Sequence, residues 1–300
     1  MTPPVKPEDL YTLHAMPALA SPVLVVHLYG WIDAADAASE AMEVIVKQMD
    51  AADDTDDAAV TVAEFDTEWL LDHRAHRPTV RIVEGVNTGL EWPKISLRAG
   101  KDSTDNDVVV LTGPEPDMHW RTFSTAVVDL AQQLGVRRVL GLGAYPAAAP
   151  HSRPSRLSAS AATPELASLG TPPATLDVAA GVQAVLELEM HEAGIEAVGL
   201  WAQVPHYISG ARYPAASVAL VDGLVGTAGL VFDSSELAAD ALATRTHLDR
   251  IVAEDAEHSD MVADLVQEYD DMVDAEAAYV ASGDLDDALE ALLRDESDGR

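Results

Sequence analysis

The chain contains no cysteine, so disulfides, thiolate catalysis and cysteine-bound metals are excluded. Aromatic residues make up only 5% of it, and the core must therefore be built mainly from Ala, Val and Leu. No apolar run approaches the roughly 18 residues needed to span a bilayer. The first residues, MTPPVKPEDLYTLH, lack the basic and apolar regions of a secretory signal. A cytoplasmic protein with no membrane association is the expectation. Lysine is scarce too, at four residues against fourteen arginines. With a net charge of −33, the chain lacks the clustered cations that phosphate backbones require, so nucleic acid is excluded as a partner. The acidity fits a solvated surface or a basic partner.

What is present is an alternation of strands and helices over 300 residues. VLVVHLYG after Pro22 is a continuous apolar run, the pattern of a buried parallel strand. Gly30 ends it, and Asp33 is placed to cap a helix from Asp33 to about Met49. Further strands are expected at AVTVAEF (59–65), DVVVLTG (107–113), VRRVLGLG (136–143) and IEAVGLWAQVPHY (195–207). Residues Arg81 to Leu97 alternate like an antiparallel pair around EGVNTG. Helices are expected from Trp120 to Leu134, from about Ala179 to Ala193, and from Pro214 to near Gly226. Ser155 to Thr175 reads as an excursion or as a weak strand over Arg156 to Ala162. The pattern predicts an α/β fold, a mostly parallel sheet covered by helices on both faces.

The composition changes at Ser234, which divides an α/β body (1–233) from an acidic helical C-terminal extension (234–300). Residues 237–300 carry 19 acids and 4 bases, so the last fifth of the chain holds nearly half the excess charge. Leu248, Ile251, Val252, Met261, Val262, Leu265, Val266, Met272 and Val273 fall at helical spacing on a narrow stripe. A short terminal helix is expected over Asp284 to Leu293. The stripe either packs on the body or serves as a self-association or client-docking element.

The candidate site lies where strands open into polar turns. VLGLGAYPAAAPHSRP begins as a buried strand at Val139 and ends in a turn stiffened by Pro146, Pro150 and Pro154 that carries His151, Ser152 and Arg153. GPEPDMHWRTF contributes Glu115 and Arg121; either Arg121 clamps an anion or carboxylate, or the two pair with each other while Trp120 packs. VPHYISG contributes His206. If these strand ends share one rim, Gly30, Asp33, Glu115, Arg121, His151, Ser152, Arg153 and His206 form a pocket able to do acid–base work, or an interface of turn hydrogen bonds. No cofactor is expected. GLGAYP has two glycines of a dinucleotide fingerprint, but the third is missing and prolines stand where a helix must begin. No metal is expected either, because His73 and His76 in DHRAH have no third ligand at a fixed offset.

Four separated motifs, GWIDAADA (30–37), LTGPEPDMHWRTF (111–123), LGAYPAAAPHSRP ending at Pro154, and WAQVPHYISG (201–210), resemble the proteasome assembly chaperone 2 (PAC2) family in its bacterial form. The resemblance covers about residues 10–230, and the helical extension is similar to that of the bacterial members. It implies a nucleoside-phosphorylase-like fold and a homo-oligomer, with a trimer as the first expectation. Eukaryotic members assemble the proteasome, and the archaeal forms look like assembly factors. One departure stands out. TLDVAAGVQAVL (175–186) keeps only Gly181 of an expected Gly-Pro-Thr-Gly-like turn, so a pocket using that turn is altered here. The expected function is a non-enzymatic, chaperone-like assembly or interaction protein. The alternative is a nucleoside-like ligand-binding protein, or a hydrolase or phosphorylase, with Arg121, Arg153 and Arg212 as the phosphate candidates.

Overall fold

A computed structural model describes residues 5–51, 59–168 and 175–282. The expected helix over 284–293 lies outside them. In chain order the elements are β1 (Tyr11–Leu13), β2 (Val23–Tyr29), α1 (Ala37–Asp50), β3 (Val60–Phe65), α2 (Thr67–Leu70), β4 (Thr79–Val83), β5 (Val86–Glu91), β6 (Ile95–Lys101), β7 (Asp107–Pro114) and α3 (Trp120–Gln133). They continue with β8 (Arg138–Ala147), β9 (Leu157–Ala161), α4 (Pro164–Ala167), α5 (Val182–Glu192), β10 (Glu196–Pro205), α6 (Pro214–Ala228), α7 (Ser235–Ala253) and α8 (Ala256–Ser282).

Eight strands form one sheet in the order β1-β3-β6-β7-β2-β8-β10-β9. Its centre, β7-β2-β8-β10, is parallel, and antiparallel strands flank that centre on both sides. The fold is α/β, with helices on both faces as the strand–helix alternation requires.

Alternation along β2 sorts the two cores. Leu24, Val26 and Leu28 face α3 and α5, while Val23 and Val25 face α1 and α6. Small residues let α1 approach closely: Ala37, Ala38 and Ala41 are fully buried beside Met42 and Ile45. Gly135 and Gly194 adopt positive φ after α3 and α5, the left-handed stop expected of glycine there.

The extension folds back on the body. Leu237 and Leu248 of α7 join the core beneath α6, and Val262, Leu265 and Tyr269 of α8 are buried. Ile251, Met272 and Val273 of the expected stripe stay exposed, so only part of it is covered.

Candidate functional site

The C-terminal ends of β2, β7, β8 and β10 make one rim. β8 continues past Gly143 to Ala147, paired with β10 to its last residue. The strand-to-helix corners on this rim are tight. Ala35, Asp36 and His119 hold positive φ at the entries to α1 and α3, a conformation that non-glycine residues adopt only when packing over-determines it.

Asp33 organises the first corner. Its carboxylate accepts the backbone N–H of Ala38 at 2.7 Å and of Ser39 at 2.9 Å, so it caps α1 from outside the helix. His27 lies behind it, 3.6 Å from the Asp33 carboxylate. The His27 Nδ1 donates to the Leu142 carbonyl at 3.2 Å, which leaves Nε2 to accept from the Ser39 hydroxyl at 2.9 Å. Burial holds the His27 pKa below its ordinary value, and the ring is neutral.

A cleft of 80 Å³ opens beside this corner, lined by His27, Trp31, Glu115, Gly181, Gln183 and Trp201 among others. It sits at the end of β2, where the chain leaves for β3 on one side while β8 lies on the other. Glu115 continues the β2–β7 pairing through its N–H to the Tyr29 carbonyl, and Gly30 (φ +125°) turns the chain beside it. Its Oε1 accepts the Val182 N–H at 2.6 Å, at the first turn of α5. Burial raises the Glu115 pKa against that hydrogen bond. Gly181 leaves room for this carboxylate, since a Cβ there would come within 2.8 Å of Glu115 Oε1.

The glycines of GLGAYP have a different use from the one a fingerprint suggests. They lie inside β8 and leave room for side chains that lie flat on the sheet. A Cβ at Gly141 would meet Gln183 at 2.2 Å, and one at Gly143 would meet the Trp201 ring at 2.3 Å. Trp201 Nε1 donates to Ser160 Oγ at 3.0 Å, and Ser160 donates to Glu187 Oε2 at 3.0 Å. Glu187 is 8% exposed, and burial pushes its pKa up to about 7. Sequence reasoning missed this residue. Local pattern gives no signal for it, because α5 buries Glu187 and leaves its neighbour Leu188 59% exposed, the reverse of what residue type predicts.

His151, Ser152 and Arg153 lie elsewhere on the rim, beneath the extension. Arg153 grips Asp270 of α8 through two bonds, at 2.8 and 2.6 Å, and this pairing holds the Asp270 pKa down. Arg156 pairs with Glu276 and sits 5.8 Å above the Tyr269 ring. Tyr269 donates to the Pro154 carbonyl at 3.2 Å. His151 is buried, with Nδ1 2.7 Å from the Tyr207 hydroxyl and Nε2 3.2 Å from Asp249 of α7. Burial lowers the His151 pKa, and the Asp249 carboxylate opposes that shift. The Ser152 hydroxyl is buried with no hydrogen-bond partner. His206 packs edge-on against Tyr207, its Nδ1 3.3 Å from the Ala147 carbonyl.

The eight candidates therefore divide. Glu115 lines the cleft, with Gly30 and Asp33 at the corner beside it, while His151, Ser152 and Arg153, with His206 alongside, build a latch for α7 and α8. Arg121 belongs to neither. It is exposed on the first turn of α3, opposite Glu189 of α5, and does not pair with Glu115. Among the described residues, no hydrogen bond or ion pair joins cleft and latch side chains. His73 and His76 face different carboxylates, Glu68 at 3.3 Å and Asp117 at 3.4 Å.

Fold and rim define an α/β protein whose C-terminal helices are clamped over its strand ends. The PAC2 family model matches residues 27–252, and the chain belongs to that family. A Mycobacterium tuberculosis protein of unknown function, Rv2714, is 34% identical over 90% of this chain and 92% of its own, with a TM-score of 0.77. The M. tuberculosis proteasome-assembly chaperone homologue Rv2125 is 32% identical over 80% of this chain and 99% of its own, at TM-score 0.71. The Pyrococcus furiosus archaeal proteasome activator PbaB shares the fold at TM-score 0.60 and 16% identity, covering 80% of this chain and 97% of its own. Among curated proteins none matches. Among the described residues no helix is long and apolar enough to cross a membrane.

Proposed function

We propose that this chain is a non-enzymatic, chaperone-like assembly or interaction protein that works in the cytoplasm as a homo-oligomer. One observation carries the reading: the polar loop His151 to Arg156 is engaged with carboxylates of the chain's own α7 and α8. The groups that would activate a substrate hold a helix pair in place instead. Two of the three arginines suited to phosphate are committed as well, Arg153 to Asp270 and Arg212 to Glu40 and Asp240. The likeness to a proteasome-assembly chaperone homologue supports the same reading. The docked extension presents Leu242, Ile251, Met272 and Val273 outward among its acids. Exposed apolar side chains set among acids suit a client with a basic, partly apolar surface.

The test is a deletion strain complemented with the wild-type chain or with Leu242, Ile251, Met272 and Val273 all replaced by Ser. The reading expects one client to co-purify with the wild type in fixed stoichiometry. That client is lost with the variant, and its subunits accumulate unassembled in the deletion. Full assembly of every complex in the deletion, with nothing co-purifying, refutes it.

The cleft favours a second reading, binding of a small ligand, through one observation: a half-buried Glu115 with a raised pKa beside the half-exposed Trp31 ring. Saturable heat on titrating nucleosides into the protein, lost in Glu115→Gln, would support it.

A further inference from the structure

The cleft in front of Glu115 is small and one-sided in charge. Pockets that enclose a whole drug-sized ligand run to about 300 Å³ or more, so a cleft of 80 Å³ seats one end group and leaves the rest of a ligand outside. Its walls are mostly hydrocarbon, from residues such as Ile32, Leu142 and Val182, together with the indoles of Trp31 and Trp201. Among the described residues, Glu115 is the only acid or base that lines it besides the neutral His27. Carboxylate and indole meet across one glycine: a Cβ built on Gly181 would stand 2.8 Å from Glu115 Oε1 and 3.0 Å from the Trp31 ring.

Only half of this carboxylate is used. Oε1 accepts the Val182 N–H at 2.6 Å, and Oε2 has no hydrogen bond among the described residues. Burial and the Asp117 charge both raise the Glu115 pKa, only the Val182 bond lowers it, and among the described residues no Lys or Arg pairs with it. A half-buried carboxylate with a spare oxygen and no counter-ion gains from any cation that reaches it. A half-exposed indole beside it favours the same charge, and so does the field of a molecule with net charge −33. Among cationic end groups, guanidinium suits the walls best. It is planar, weakly hydrated, stacks on aromatic rings and donates several N–H bonds, whereas an ammonium loses more hydration on leaving water. We propose that the cleft is a site for an alkylguanidinium end group, held by Glu115 Oε2 and packed against the Trp31 indole. This inference rests on the second reading above, that the cleft binds a ligand, and names that ligand's chemistry.

The experiment is titration calorimetry of the full chain with butylguanidinium, with its neutral isostere butylurea, and with the blocked tripeptide acetyl-Ala-Arg-Ala-amide. Each titration is repeated on Glu115→Gln and Trp31→Leu. Glutamine keeps an acceptor for the Val182 N–H, and Trp31 is half-exposed, so both variants should keep the wild-type thermal midpoint. We expect saturable heat with butylguanidinium and binding about 10- to 100-fold weaker in Glu115→Gln. Trp31→Leu should weaken it by about 2- to 5-fold, and butylurea should bind at least about tenfold more weakly than its cationic counterpart. A tripeptide that binds as tightly as butylguanidinium assigns the site to an arginine side chain of a protein. A tripeptide that binds more weakly assigns it to a free small molecule, and either result upholds the guanidinium class. Butylurea binding as tightly as butylguanidinium, or Glu115→Gln binding as tightly as the wild type, overturns it. If neither guanidinium compound binds while a nucleoside gives saturable heat, the guanidinium class falls and the cleft remains a ligand site. Heat from none of them removes both.

Discussion

The cleft and the latch are neighbouring polar regions on one rim, built by opposite means. Around the cleft the polar groups are desolvated and held toward their neutral forms: His27 is lowered, while Glu115 and Glu187 are raised. Their places are set by volume, because Gly141, Gly143 and Gly199 leave room for Gln183, Trp201 and Glu187. In the latch the arginines are charged and paired with partly exposed carboxylates, as with Arg153 and Asp270, around a buried His151. A region set by volume fails when an atom is added, and one set by charge pairs fails when a charge is removed. The cleft is therefore expected to share the core's stability, and the latch to open while the body stays folded.

Adding an atom to the cleft gives the largest expected effect. Gly143→Ala places a Cβ 2.3 Å from the Trp201 ring in the middle of the sheet. We expect a loss of about 3 kcal/mol in chemical denaturation, and an unchanged midpoint would break the volume argument. Glu187 comes next. Its folded pKa of about 7 lies above the ordinary value of 4.5, so between those values the folded state binds more protons than the unfolded one. Stability from this group is present at low pH and falls as pH rises through that window. Glu187→Gln should therefore stabilise the protein at pH 8 by about 2 kcal/mol and be close to neutral near pH 4. A variant less stable than wild type at pH 8 would show that the carboxylate is wanted in its charged form.

The latch should give the smallest and most local effect. Arg153→Ala should lower hydrogen-exchange protection across α8 several-fold and leave the strands of the sheet unchanged. His151 has the opposite proton response to Glu187. Its folded pKa is lowered, so the neutral ring's contribution is fully present above the ordinary value of 6.5 and is lost as pH falls below it. Protection of α7 and α8 in the wild type should fall with it. Equal losses in the sheet would merge the two regions into one cooperative unit.

Much of the fold was legible in local pattern. The β2 run, the stop of α3 at Gly135, the weak strand that became β9 and the helical spacing of the extension all follow from periodicity and turn chemistry acting over a few residues. The site was legible only as a set of loops. Asp33 was readable as a helix cap because capping is local. Glu115 bonding α5 across 67 residues, and Arg153 bonding Asp270 across 117, were not readable, since a single chain carries no record of which distant charges meet. Glu187 was hidden for a related reason. An acid between Leu186 and Leu188 belongs on a solvent face by pattern, and only the space above Gly199 brings it inside.

The sequence by itself determined the α/β class, the order of the central strands and helices, the acidic composition of the C-terminal stretch and the family, because each is written in residue order, spacing and charge; it did not show β1, or β6 as a strand of the main sheet. Tertiary structure alone decided that the rim divides into a cleft and a latch, that β8's glycines seat Gln183 and Trp201, and that the β4–β5 hairpin stands outside the eight-stranded sheet. These outcomes depend on which surfaces meet in three dimensions, and that is settled by the packing of the whole sheet rather than by any local stretch of chain.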